Sequence, residues 1–210
     1  MREFFNQKYY TLDKIPKYRL DFMELKLKEF ISLLDLKPAN WPLDCVKLII
    51  KIKVEKLFPL DYRFDEMPDE CDGFSDYIPD IDKHIIFINK KKAIYPFQFS
   101  NHRRLNFTLA HELGHIILGH NDIPSALKSE EEKKLENLEA DEFAGRLLIP
   151  EKLIVNCHLV SLAETAKYFM VSKTALWTRL NNMKRLDLLN SSSGTFYNSY
   201  SNSISSFEVQ

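Results

Sequence analysis

Residues 106–120, NFTLAHELGHIILGH, restrict the fold more than any other stretch of this 210-residue chain. Leu105, Phe107, Leu109, Leu113, Ile116 and Ile117 make the segment an apolar helix, yet His111, Glu112 and His115 sit within it. Two histidines four residues apart lie on one side of a helix, one turn from each other. Burying such polar groups without partners is costly, and two imidazoles so placed can share one tetrahedral ion. The His-Glu-x-x-His spacing therefore predicts a zinc site with His111 and His115 as ligands. Glu112 stands beside them, where its carboxylate can take a proton from water activated by the ion and return it to a leaving amine. The chemistry implied is peptide hydrolysis.

A third ligand is needed, and spacing alone leaves it open. The pattern that adds a downstream histidine requires Gly at 118 and His at 121, whereas this chain has Leu118, Gly119, His120 and Asn121. His120 also follows the expected helix stop at Gly119 and lies about 140° round from His115. It reads as a rim or supporting group. The alternative is a carboxylate from the next helix, which offers Glu136, Glu139 and Glu142 at intervals of three. Glu139 is flanked at i−4 and i+4 by Leu135 and Phe143, which suits a partly buried acid; Glu136 leans toward Ala140.

The rest of the chain sets the context. A hydrophobic content of 45% with 15 Phe can build a core without disulfides. A net charge of −1 gives no global attraction to nucleic acid or to an anionic membrane. Cys45, Cys71 and Cys157 are widely spaced and form no CxxC pair, which reads as reduced thiols in a cytoplasm. The N-terminus lacks the apolar stretch of a signal peptide, and no run approaches the length of a membrane span. A soluble cytoplasmic protein without membrane contact is expected.

Apolar spacing predicts a helix over 18–36 and a second after Trp41-Pro42 to about residue 51. Residues 54–58 read as a strand, residues 73–75 as a strand entry and 84–89 as a strand. A helix follows from about Ser100 to Leu118 and stops at Gly119. Ser129 to Glu132 forms a capping box opening a helix that runs to Pro150. Residues 161–189 read as helix, turn at Val171-Ser172, helix. The layout is α+β: an N-terminal helical extension (1–40), a core with a small sheet (41–150), a C-terminal helix-turn-helix-like pair (151–190) and a disordered Ser/Asn-rich tail (191–210).

Two blocks, RRLNFTLAHELGH and EADEFAGRLLIP, resemble the ImmA/IrrE family of metallopeptidases. Arg104, Phe107, Thr108, Ala110, His111, Glu112, Gly114 and His115 match the family's R-x-x-F-T-x-A-H-E-x-G-H. Glu139, Ala140, Phe143, Ala144, Leu147, Leu148 and Pro150 match its E-A-x-x-F-A-x-x-L-L-x-P. A looser likeness extends over residues 41–189. The resemblance implies a zincin-like core, places the third zinc ligand at Glu139, and suggests a helix-turn-helix repressor as substrate, whose removal releases mobile-element or stress genes. Asp141 stands where the family often has Asn, and residues 1–40 have no counterpart.

Two functions compete on this basis. One is an intracellular zinc endopeptidase with His111, His115 and Glu139 holding the ion and Glu112 as general base. The other is a zincin scaffold that regulates by binding protein or DNA without catalysis. Lys167, Lys173, Arg179, Lys184 and Arg185 give the C-terminal pair a positive excess that would suit DNA. A hairpin packed on the core through Phe169, Leu176 and Leu180 explains the same residues and is the preferred reading.

Overall fold

The computed structural model describes residues 12–92, 99–156 and 161–185. The expected disordered tail lies outside them.

Helix α1 (Lys17–Leu33) carries Met23, Leu27, Phe30 and, just past its end, Leu34 on one buried stripe. Helix α2 (Cys45–Glu55) is opened by Asp44, whose carboxylate accepts from the backbone N–H groups of Val46 and Lys47 at 3.0 and 3.3 Å. Three strands follow: β1 (Leu60–Asp65), β2 (Gly73–Ile78) and β3 (Lys83–Asn89). Their order is β1-β3-β2, with β1 parallel and β2 antiparallel to the central β3. Ile85, Ile86 and Ile88 of β3 are buried, so both faces of the middle strand are covered. The edge strand β2 lies alongside α3 (Phe99–Ile117), which packs in turn against α4 (Glu130–Leu148).

The strand expected at 54–58 is not there. Leu48, Ile49 and Ile52 keep α2 helical through Val54, which points to solvent at 72% exposure. Lys56 then ends the helix in the left-handed region (φ 52°), and the strand begins beyond Pro59. The strands at 73–78 and 83–89 and the stop of α3 at Gly119 (φ 75°) match the sequence reading. So does the capping box: Ser129 Oγ accepts from Glu132 N at 3.2 Å, and Glu132 accepts from Ser129 N at 2.7 Å.

Short helices α5 (Glu151–Asn156), α6 (Leu162–Tyr168) and α7 (Lys173–Asn182) complete the fold. Phe169, Leu176 and Leu180 are buried, so the C-terminal pair packs on the core. Asn106 of α3 ties it there. Its amide accepts from Cys45 N at 2.7 Å and donates to the carbonyls of Leu43 (3.0 Å) and Met170 (3.1 Å). One buried side chain thus joins the start of α2, the middle of α3 and the α6–α7 turn. Among the described residues, no helix is long and apolar enough to cross a membrane.

Candidate metal centre

Helix α3 brings His111 and His115 together as the spacing required: their Nε2 atoms are 3.0 Å apart. What fixes the two rings lies on α4 and just beyond α3. His111 Nδ1 is 2.8 Å from Asp141 Oδ1; a carboxylate only accepts, so Nδ1 carries the proton. His120 Nε2 is 2.9 Å from Glu139 Oε2, and His120 Nδ1 is 2.9 Å from His115 Nδ1. With neutral rings, His120 gives its Nε2 proton to Glu139, and His115 gives its Nδ1 proton to His120. Both chains of donors leave the same outcome. His111 Nε2 and His115 Nε2 then face each other with their lone pairs, and the Asn137 side chain of α4 is hydrogen-bonded to both rings. These donors fit a metal ion.

The electrostatics differ between the two rings: burial lowers the His111 pKa, but the hydrogen bond and charge of Asp141 outweigh it and raise it. Burial, reinforced by the neighbouring His111 and His120 rings, pushes the His115 pKa down to about 3, so the ring is neutral and able to donate its lone pair. Burial also raises the pKa of Glu112, 5% exposed, against the opposing pull of His111 and of hydrogen bonds from Ser75. Ser75 lies on the edge strand β2; its hydroxyl is 3.4 Å from the Glu112 carbonyl and receives the Asn121 amide at 3.1 Å.

Glu139 is the most enclosed acid of the cluster, 1% exposed. Burial pushes its pKa up, but hydrogen bonds from Arg19 and His120 outweigh this and hold it at about 2. Arg19 reaches it from α1, with Nε 2.7 Å from Oε1 and Nη2 2.5 Å from Oε2. Glu136, one turn earlier, is paired instead with Lys128 at 2.8 Å, and Lys128 also donates to the His120 carbonyl. Among the described residues, the trio whose donor atoms lie within 4.8 Å of one another is His115, His120 and Glu136. It shares only His115 with the expected ligands. Glu142, the third candidate by periodicity, points elsewhere, into a cluster with Arg146, Arg179 and Asn182.

His120, read from phase as a supporting group, is buried between His115 and Glu139 and bonded to both. Asp141, noted only as a departure from Asn, orients His111. Arg19 and Lys128 carried no signal in the sequence: each is one cation among many on an amphipathic or loop segment.

Residues 62–181 match the family model for Peptidase M78, the IrrE N-terminal-like domain. The chain belongs to this family. The Peptidase M78 match takes in both sequence blocks, the whole sheet from Tyr62 onward and helices α3 to α7 as far as Asn181, and leaves α1 and α2 outside. Metallopeptidase chemistry is the family's association, and the donor set described above suits it. No curated protein matches the chain. Among solved structures, it is similar to a Mycobacterium tuberculosis transcriptional regulator, with a TM-score of 0.53 and 15% identity over 86% of this chain and 51% of that one. The chain spans about half the length of that protein, and a likeness at this identity is one of fold.

Gly114 sets how closely α3 and α4 approach. A Cβ there would lie 3.1 Å from Ala140 Cα, 3.2 Å from the Ala140 carbonyl and 3.2 Å from Phe143 Cδ1. Ala140 adjoins Glu139, and its backbone would have to give by a few tenths of an ångström. Gly114→Ala gains up to about 1 kcal/mol of helix propensity but forces the helices apart, at about 1–3 kcal/mol. A net loss of about 1 kcal/mol on urea unfolding is expected, together with weaker metal binding. A more stable variant with unchanged metal affinity would show that the α3–α4 spacing has slack.

Proposed function

We propose that this chain is a zinc-dependent endopeptidase that cleaves a helix-turn-helix transcriptional repressor inside the cell. His111, His115 and Glu139 would hold the ion, and Glu112 would act as general base. The observation that carries the reading is the pair of facing Nε2 lone pairs on His111 and His115, beside a buried Glu112. Bound there, zinc would supply Lewis-acid polarisation of water and of a peptide carbonyl.

The protein's own residues do the rest. Asp141 and His120 hold the two imidazoles in the tautomers that present Nε2. Glu112, with its pKa raised by burial, is suited to accept a proton and to give it back to the departing amine. The edge strand β2 runs beside it, and an extended peptide can add to a sheet edge through main-chain hydrogen bonds. That would lay a substrate backbone across Glu112. The repressor as substrate rests on the family resemblance.

The competing reading is a scaffold that regulates by binding protein or DNA. It draws on the fold's likeness to a protein described as a transcriptional regulator. A complete general base in a poised environment favours the enzyme.

The zinc-loaded chain is expected to cut a helix-turn-helix repressor encoded beside it into two discrete fragments. A chelator should stop the reaction and added zinc restore it. If the zinc-loaded chain leaves such repressors whole but retards their operator DNA in a salt-dependent manner, the binding reading replaces this one.

A further inference from the structure

A cleft of about 800 Å³ lies between α3, α4 and the first turn of α7, a volume typical of binding sites. Phe107, Leu138 and Ala175 give it an apolar lining, and Arg103, Arg104 and Lys173 add cations. It meets the metal centre at Asp141. That residue lines the cleft, while its Oδ1 is 2.8 Å from His111 Nδ1.

The edge strand β2 leads to the same place. The Ser75 hydroxyl lies 3.4 Å from the carbonyl of Glu112. Two residues earlier, a Cβ on Gly73 would sit 3.4 Å from Thr108 Cγ2. Asp72, just before the strand, accepts from Arg104 Nε at 2.6 Å. Asp72, Arg104 and Thr108 all line the cleft. An extended chain laid along β2 across Glu112 therefore reaches the cleft at the strand's first residue.

Charge decides what such a chain should carry. The whole protein has a net charge of −1, yet the carboxylates of the cleft are already matched. Asp72 accepts from Lys92 Nζ at 2.5 Å as well as from Arg104. Glu142 is shared by Arg146 at 2.8 Å and Arg179 at 3.0 Å. Asp141 is taken by His111. Lys173 is exposed, and no carboxylate among the described residues pairs with it. A concave surface with surplus positive charge attracts anions. Its apolar lining favours a peptide, which can bury side chains there, over a nucleic-acid backbone, which cannot.

Resting on the proposed endopeptidase function, we infer that this cleft is a specificity subsite of the metal centre: it takes an acidic stretch of the substrate, to one side of the bond to be cut. Lys173 reads the acidic side chains, and Phe107, Leu138 and Ala175 receive the apolar ones between them.

Binding to the full-length, metal-free chain tests this without any need for cleavage. The probes are two short fluorescent peptides of the same apolar content, one with a run of glutamates and one with a run of lysines. Fluorescence anisotropy should show the glutamate peptide binding at least about tenfold more tightly. Lys173→Glu should weaken that binding about fivefold, as one attraction becomes one repulsion. The variant should fold, because a carboxylate is favoured in the first turn of a helix. Lys28→Glu, on α1 and outside the cleft, makes the same change in net charge and should leave binding unchanged. Equal binding of the two peptides, or an equal effect of Lys28→Glu and Lys173→Glu, overturns the subsite. So does a short mixed-sequence DNA duplex that displaces the glutamate peptide and depends on Lys173 in the same way, which would make the occupant nucleic acid. If the glutamate peptide binds as expected while the zinc-loaded chain cuts no repressor, the endopeptidase reading fails and an acidic-peptide docking site remains. If repressors are cut without discrimination between the peptides, only the subsite fails.

Discussion

On the proposed function, Glu112→Gln is expected to bind zinc as the wild type does and to cleave a repressor substrate about 10²- to 10⁴-fold more slowly, the range a positioned general base supplies. The substitution preserves shape and leaves His111 and His115, on the same helix, in place. It should not unfold the chain, because burial already disfavours the charged form of Glu112 and a neutral amide is tolerated there at least as well. The hydrogen bonds from Ser75 remain available to the amide oxygen. What the amide cannot do is take up a proton. Metal content per chain and the cleavage rate of the repressor, measured on the same preparation, check this. Cleavage at the wild-type rate with full zinc would remove Glu112 from the mechanism.

Much of the site was legible because helical geometry is local. His111, Glu112 and His115 fall on one turn and a half of α3, and a spacing of four fixes their mutual placement whatever surrounds them. The end of α3 was legible for a similar reason: Gly119 takes a left-handed backbone (φ 75°) that side chains other than glycine's seldom adopt. The strand expected at 54–58 failed because short apolar runs do not distinguish strand from helix. There the choice was made by Ile52 and its neighbours packing in the core.

Residues that tune the site were legible only in part, because they come from far away in sequence. Asp141 is thirty positions from His111 and Arg19 is 120 from Glu139. No periodicity connects such pairs. His120 shows the limit of phase reasoning: the left-handed residue before it breaks the helical progression, so its angle on an ideal helix no longer says where the ring goes. It turned back under His115.

The C-terminal pair gives the same lesson for charge. Arg179 counts in the sequence as part of a positive surface, but it is 7% exposed and bonded to Glu142 at 3.0 Å. The basic excess available to a ligand on this face is therefore smaller than composition implies, while the burial of Phe169, Leu176 and Leu180 agrees with a packed hairpin.

Glu142→Ala is accordingly expected to cost about 3–5 kcal/mol of stability, the cost of stranding buried charge. Glu142, 3% exposed, accepts from Arg146 Nε at 2.8 Å, Arg179 Nη1 at 3.0 Å and Asn182 Nδ2 at 2.9 Å. Arg146 continues to Glu24 of α1 at 3.0 Å. One carboxylate on α4 thus holds α7 directly and α1 through a second arginine. Without it, two guanidinium groups face each other with their shared counter-charge gone, and among the described residues Arg179 keeps the Ile149 carbonyl, 3.3 Å from its Nε. The loss should read as a lower urea midpoint with an unchanged m-value. Replacing Glu142 and Arg179 together by Leu should recover part of it, since the cost comes from the unpaired charge rather than from the missing bond. If Glu142→Ala instead unfolds at the wild-type midpoint, the C-terminal pair is held by its apolar face alone, and Arg179 is free to belong to a binding surface.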